Sequence, residues 1–67
     1  MSCDEIDKAI RAVFAAIQKQ AGENNITDEM VIKSDFNDLN ARARQECHLH
    51  YSIDHTPQGY VLGRGKV

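Results

Sequence analysis

The chain has little of what usually stabilises or equips a small protein. Two cysteines in 67 residues allow one disulfide at most, which excludes a cysteine-rich framework. No apolar run approaches the roughly 18 residues that cross a bilayer. The opening MSCDEIDKAI is acidic and polar, without the apolar core of a secretory signal. These absences predict a cytoplasmic, reducing setting and free thiols at Cys3 and Cys47, both of which fall in segments that read as helical.

Catalytic furniture is also missing. There is no nucleophile elbow, no glycine-rich phosphate loop and no pair of carboxylates at catalytic spacing. A chain this short cannot by itself wrap a ligand pocket of the usual few hundred Å3. Asp54 and His55 are neighbours, but strand geometry sends them to opposite faces, and Ser52 has no fixed partner to activate it. Neither an enzyme nor a cofactor is expected. Cys47, His48, His50 and His55 resemble a metal cluster in one dimension, yet only His48 and His50 share a strand face, and a structural zinc site wants four ligands. No metal is expected either.

An excess of basic charge is absent too. The chain carries ten acidic and eight basic side chains, for a formal net charge of −2. The distribution is uneven: residues 1–40 hold eight acidic and four basic groups, whereas residues 41–67 hold two acidic and four basic ones with all three histidines. Nucleic-acid binders draw most of their affinity from phosphate contacts and usually show a clear basic excess.

What is present is periodicity. Ser2 to Glu5 fits a capping box, with acidic residues in the first turn where the helix dipole favours them. Asp4 with Lys8 and Asp7 with Arg11 are spaced for i,i+4 pairs. Ile6, Ile10, Val13, Ile17 and Ala21 recur at helical spacing and Gly22 ends the run, which predicts a helix over 3–21. Its apolar stripe is wide, roughly 160° at about 100° per residue, enough to contact two surfaces. GENN is a short polar connection, and Thr27 caps a second helical region. There Ile32, Phe36, Leu39 and Ala43 keep one stripe, consistent with a single helix over 28–47. Ser34, Asp35, Asn37, Asp38 and Asn40 favour caps and turns instead, and predict a break at Lys33-Ser34.

The only proline, Pro57, marks the turn of a hairpin in HLHYSIDHTPQGYVLGRG. Read as a type I turn with Gly59 in a bulge, TPQG pairs Thr56 with Tyr60, His55 with Val61, Asp54 with Leu62 and Ser52 with Arg64. Leu49, Tyr51, Ile53 and Val61 then face the core; His48, His50, Ser52, Asp54, Tyr60, Leu62 and Arg64 face outward. The expected fold is a small α+β domain spanning 1–67: an N-terminal helix, a second helical region and a C-terminal β-hairpin. Its expected core comprises Ile6, Ile10, Val13, Ile17, Ile32, Phe36, Leu39, Leu49, Tyr51, Ile53 and Val61.

Two functional readings follow. A domain this small buries only about 60% of its unfolded surface, so self-association is expected to support it. The wide helix stripe and an open strand edge offer routes to a homodimer. With Tyr60, Leu62, Arg64 and His50 on an outward face, the favoured reading is a non-enzymatic accessory factor that binds another protein, of the size and composition of phage or plasmid regulators. The alternative is a winged-helix-like DNA-binding regulator. Its reading helix would present Asn37, Asn40, Arg42, Arg44 and Gln45, with Arg64 and Lys66 near phosphate. Asp35 and Asp38, at the end of that helix which enters the groove, oppose it.

Overall fold

The computed structural model describes all 67 residues. Three helices, α1 (Cys3–Ala21), α2 (Asp28–Lys33) and α3 (Phe36–Cys47), precede an antiparallel hairpin of β1 (Leu49–Thr56) and β2 (Gly59–Lys66). This is a small α+β fold. No helix is long and apolar enough to cross a membrane.

Helix α1 begins at the capping box its sequence announces. Ser2 Oγ accepts from the Glu5 N–H, and Glu5 Oε1 accepts from the Ser2 N–H, each at 3.1 Å. These bonds hold the Glu5 carboxyl below its ordinary range. Of the two expected i,i+4 pairs, Asp7–Arg11 forms, at 2.8 Å. The helix ends where Gly22 takes φ 61° and returns its N–H to Gln18 O.

Thr27 caps α2 by accepting from the Met30 N–H. The second helical region is broken, and Ser34 breaks it. Its hydroxyl donates to Val31 O at 2.6 Å and accepts from the Phe36 N–H at 3.2 Å, ending one helix and starting the next. The break rotates α2 relative to α3. Met30 and Val31 consequently pack on the core while Ile32, expected inside, is 70% exposed. An unbroken stripe had placed Ile32 in line with Phe36 and Ala43; the turn at Ser34 removes that alignment.

The core is Ile6, Ile10, Ile17, Phe36, Ala43 and Tyr51, with Val13, Leu39, Leu49, Ile53 and Leu62 packed around it. Two further expectations need correction. Cys3 and Cys47 are not free thiols: they are joined, with Cα atoms 5.8 Å apart, tying the start of α1 to the end of α3. On the loop-entropy model a bridge closing this 44-residue separation contributes about 4 kcal/mol. It supplies support that composition alone had assigned to self-association.

The second correction is the hairpin register. Thr56 pairs with Gly59, not Tyr60, and the ladder runs His55–Tyr60, Asp54–Val61, Ile53–Leu62, Ser52–Gly63 and Tyr51–Arg64. The cause is the Thr56 hydroxyl. It accepts from the Gln58 N–H and donates to Gly59 O at 2.6 Å, closing a two-residue loop where a three-residue bulge had been expected. Gly59, at φ 121°, takes a conformation that L side chains rarely adopt. One residue of slip inverts β2. Tyr60, Leu62 and Arg64 share the helix-facing side with Tyr51 and Ile53, and Val61 is 46% exposed on the bare side. Strand β1 keeps its expected faces, because its own alternation sets them.

Tyr51 is 1% exposed, and its hydroxyl donates to Asp7 Oδ1 at 2.6 Å. Arg11 binds the other Asp7 oxygen and Arg64 approaches Oδ1 to 3.5 Å. The hydrogen bond from Arg11, followed by that from Tyr51, holds Asp7 below the usual carboxylate range. Burial, followed by the Asp7 bond, pushes the Tyr51 hydroxyl up. A depressed acid stabilises fully above its unfolded pKa and loses that contribution as pH falls; a raised phenol stabilises fully below its unfolded pKa and loses it as pH rises.

Chemical denaturation across pH should therefore show stability declining below about pH 4 and again above about pH 10. Asp7→Asn should flatten the acid limb. The observed register predicts that Leu62→Ala costs about 2 kcal/mol by leaving a cavity, whereas Val61→Ala stays within about 0.5 kcal/mol. Denaturation midpoints of the two variants compare neighbouring residues of one strand.

Candidate functional site

The site is assembled by one amide. Asn40, on α3, donates from Nδ2 to Tyr51 O and accepts at Oδ1 from the Tyr51 N–H, both at 2.9 Å. Its side chain thus behaves like a strand neighbour, satisfying the backbone groups of Tyr51 that point away from β2. The clamp fixes α3 beside β1. Because side chains alternate along a strand, a buried Tyr51 puts His50 on the bare face. There Arg44, one turn beyond Asn40 on α3, reaches it: Arg44 Nη2 lies 2.8 Å from His50 Nδ1.

Arginine can only donate, so the imidazole accepts at Nδ1 and carries its proton on Nε2. This sets Arg44 apart. Arg11 and Arg64 approach Asp7, and Arg42 approaches Glu46 at 3.6 Å. Arg44 is oriented by a neutral ring instead, and its charge is not offset by a carboxylate. It stands at a depression of about 270 Å3 lined by Asn37, Asn40, Ala41, Arg44 and Gln45. No carboxylate lines it. Only Ala41 is apolar there, so the surface suits a polar contact better than a buried hydrophobic ligand.

The proposed contact residues therefore divide. His50 belongs to this site, but Tyr60, Leu62 and Arg64, expected beside it on an outward face, do not. Tyr60 is half-buried. Its ring stacks on His55 at 4.4 Å, its hydroxyl accepts from the Ile26 N–H, and its carbonyl accepts from Gln18 Nε2. It ties the α1–α2 connection to the hairpin tip. Leu62 packs against the core cluster, and Arg64 reaches back to Asp7. All three moved because the Thr56 turn shifted β2 by one residue.

Of the residues assigned to DNA reading, Asn37, Asn40, Arg44 and Gln45 are brought together. Asn40 is consumed by Tyr51, while Arg42 lies with Glu46 apart from the depression. Lys66 is exposed opposite Leu49 at the far end of the hairpin. Sequence reasoning placed His50 and Arg44 in separate hypotheses. Nothing in the sequence signals their contact, since it depends on an Asn side chain substituting for a strand.

The histidine–cysteine cluster is dispersed. Cys47 is bonded to Cys3, His48 caps α3 in a left-handed conformation at φ 55°, and His55 lies against Tyr60. No group of three or more His, Cys, Asp or Glu side chains could hold a metal ion. Asp54 and His55 do point to opposite sides; Asp54 accepts from Ser52 Oγ at 3.3 Å.

Asn40→Ala would leave both Tyr51 backbone groups unpaired in a partly buried position, at a cost of about 1–3 kcal/mol. Amide exchange at Tyr51 should accelerate markedly, while the hairpin pairs near Thr56 keep their protection. Unchanged exchange at Tyr51 would show that the clamp contributes nothing. Comparison of the chain with protein-family models, with curated proteins and with solved structures finds no match to any of them.

Proposed function

We propose that this chain is a non-enzymatic accessory module that acts by contact with another protein, and that the Arg44–His50 face makes that contact. One observation carries the reading: Arg44 is the arginine without a carboxylate partner, held by a neutral imidazole at a depression free of acidic side chains. Arginine is enriched at binding hot spots because its planar fork combines contact area with bidentate hydrogen bonding. Asn37 and Gln45 add amide donors and acceptors around it. The complementary partner surface is a carboxylate set in a polar rim. Such a contact asks little of long-range charge and is compatible with a net charge of −2.

Duplex DNA is the second reading, favoured by the order helix, two-residue break, helix, hairpin, with Asn37, Arg44 and Gln45 on one side of α3. That order resembles a winged helix in outline. Several features weigh against it. Asp38 sits in the first turn of α3, Arg42 and Arg64 have acidic neighbours, and Asn40 is occupied. Few free cations remain for phosphates, whose neutralisation supplies most DNA affinity.

Capture from a lysate of the producing cells, followed by affinity measurement on the recovered protein, tests the reading. Arg44→Ala should weaken binding by about 2 kcal/mol, roughly thirty-fold, without unfolding the domain. Arg42→Ala should change it little. Equal binding by wild type and Arg44→Ala would remove the face from consideration. Retardation of random duplex at low salt, fading steeply as salt rises, would favour DNA.

A further inference from the structure

The helices cover one face of the hairpin, and β2 lies at its edge. Val67 N–H donates to His48 O at 2.9 Å, which makes that facing pair a hydrogen-bonded one. Antiparallel pairs alternate, so the next pair, Leu49–Lys66, is not hydrogen-bonded, and neither are Tyr51–Arg64, Ile53–Leu62 and His55–Tyr60. The backbone groups of these residues point out of the hairpin. The Asn40 bonds to Tyr51 and the Gln18 bond to Tyr60 O, both made from outside the hairpin, agree. On β2, Tyr60, Leu62, Arg64 and Lys66 thus turn N–H and C=O groups outward. Only the Tyr60 carbonyl finds a partner within the chain.

We propose that this edge pairs antiparallel with the same edge of a second copy, giving a continuous four-stranded sheet with its two-fold axis at Gly63. The proposal is independent of the role assigned to Arg44. Charge and overlap select the register. With Gly63 on the axis, Leu62 faces Arg64 of the second copy and Tyr60 faces its Lys66, so all four outward residues of each strand face one another, the Tyr60 carbonyl sharing its acceptor sites with Gln18. No basic residue faces another. Moving the axis to Arg64 would set Arg64 against itself, and moving it to Leu62 would leave Lys66 without a partner.

Side-chain size fits the same register. On the bare face Gly63, over which the Asp54 carboxylate and Ser52 hydroxyl of its own chain lean, meets Gly63 at the axis, and Val61 meets Gly65 of the second copy. These are closely spaced, non-hydrogen-bonded positions, where facing side chains come nearest. Val61 is 46% exposed in the single chain, and nothing lies within 4 Å of where a Gly65 Cβ would be. The valine thus gains a neighbour where the glycine leaves room. On the helix-facing side, the Arg64 and Lys66 stems lie beside Leu62 and Tyr60, as amphipathic side chains favour. Strand β1, clamped by Asn40, remains at each outer edge, so the dimer displays two Arg44 faces and can bind a repeated partner bivalently.

Sedimentation equilibrium of the oxidised chain should give twice the 7.5 kDa monomer mass at concentrations on the order of micromolar and above. Arg64→Pro removes an outward N–H at the centre of the interface and leaves the bonds to β1 intact, as edge strands tolerate. It should sediment as a monomer, while Arg64→Ala remains a dimer. A nitroxide on Val61→Cys, its identity as a dimer checked by sedimentation, gives a readout that does not depend on the proline variant folding. The two labels should lie roughly 14 Å apart, four residues of about 3.3 Å along the strand plus the lateral step, and broaden the spectrum by dipolar coupling. A wild-type monomer at all concentrations, a dimer that persists in folded Arg64→Pro, or a dimer without broadening would each overturn the proposal.

Discussion

Tyr51 is the residue on which the arrangement depends. Its ring closes the core, its hydroxyl binds Asp7 on α1, and its backbone is held on α3 by Asn40. A two-stranded hairpin is barely stable alone in water, and here it gains a covering helix layer and a substitute third strand through one residue. Burying a tyrosine leaves a polar end to satisfy, and Asp7 meets that need while drawing in Arg11 and Arg64. The disulfide works one turn from Asp7 on the same helix pair, joining the α1 start to the α3 end.

The placement of His50 follows from the constraint on Tyr51 by simple alternation. If residue 51 must face the helices, residue 50 cannot, and His50 emerges beside α3 where Arg44 can reach it. The pairing differs in kind from a salt bridge. A carboxylate would both orient and neutralise the guanidinium, whereas an accepting imidazole orients it and leaves its charge intact. A folded domain with net negative charge can in this way still present a defined cationic point.

The helices were largely legible in the sequence, because local rules govern them. The capping box at Ser2, the stop at Gly22, the Thr27 cap and the break at Ser34 all depend on residues within a few positions of each other. The faces of β1 were legible for the same reason. Those of β2 were not. They depend on whether the turn holds two or three residues, and the Thr56 hydroxyl decides that over a stretch where Pro57 and Gly59 allow either. Ile32 was misplaced by trusting a stripe across a break that the sequence itself announced. The disulfide was discounted because the acidic, polar opening argued for a reducing setting, and two helical segments give no hint that their ends converge. The candidate site was visible only as fragments: Arg44 among base-reading residues, His50 among hairpin residues, and Asn40 assigned to a ligand when it serves the backbone.

The central claim is that the fold delivers Arg44 oriented and un-neutralised by a neutral His50. Nitrogen-15 NMR of the imidazole at neutral pH tests it most directly. The account predicts His50 as the Nε2–H tautomer, with an unprotonated Nδ1 and a hydrogen-bond scalar coupling from that nitrogen to the Arg44 guanidinium. An Nδ1–H tautomer, or a guanidinium with no coupling to the ring and free rotation about its terminal bonds, would contradict it.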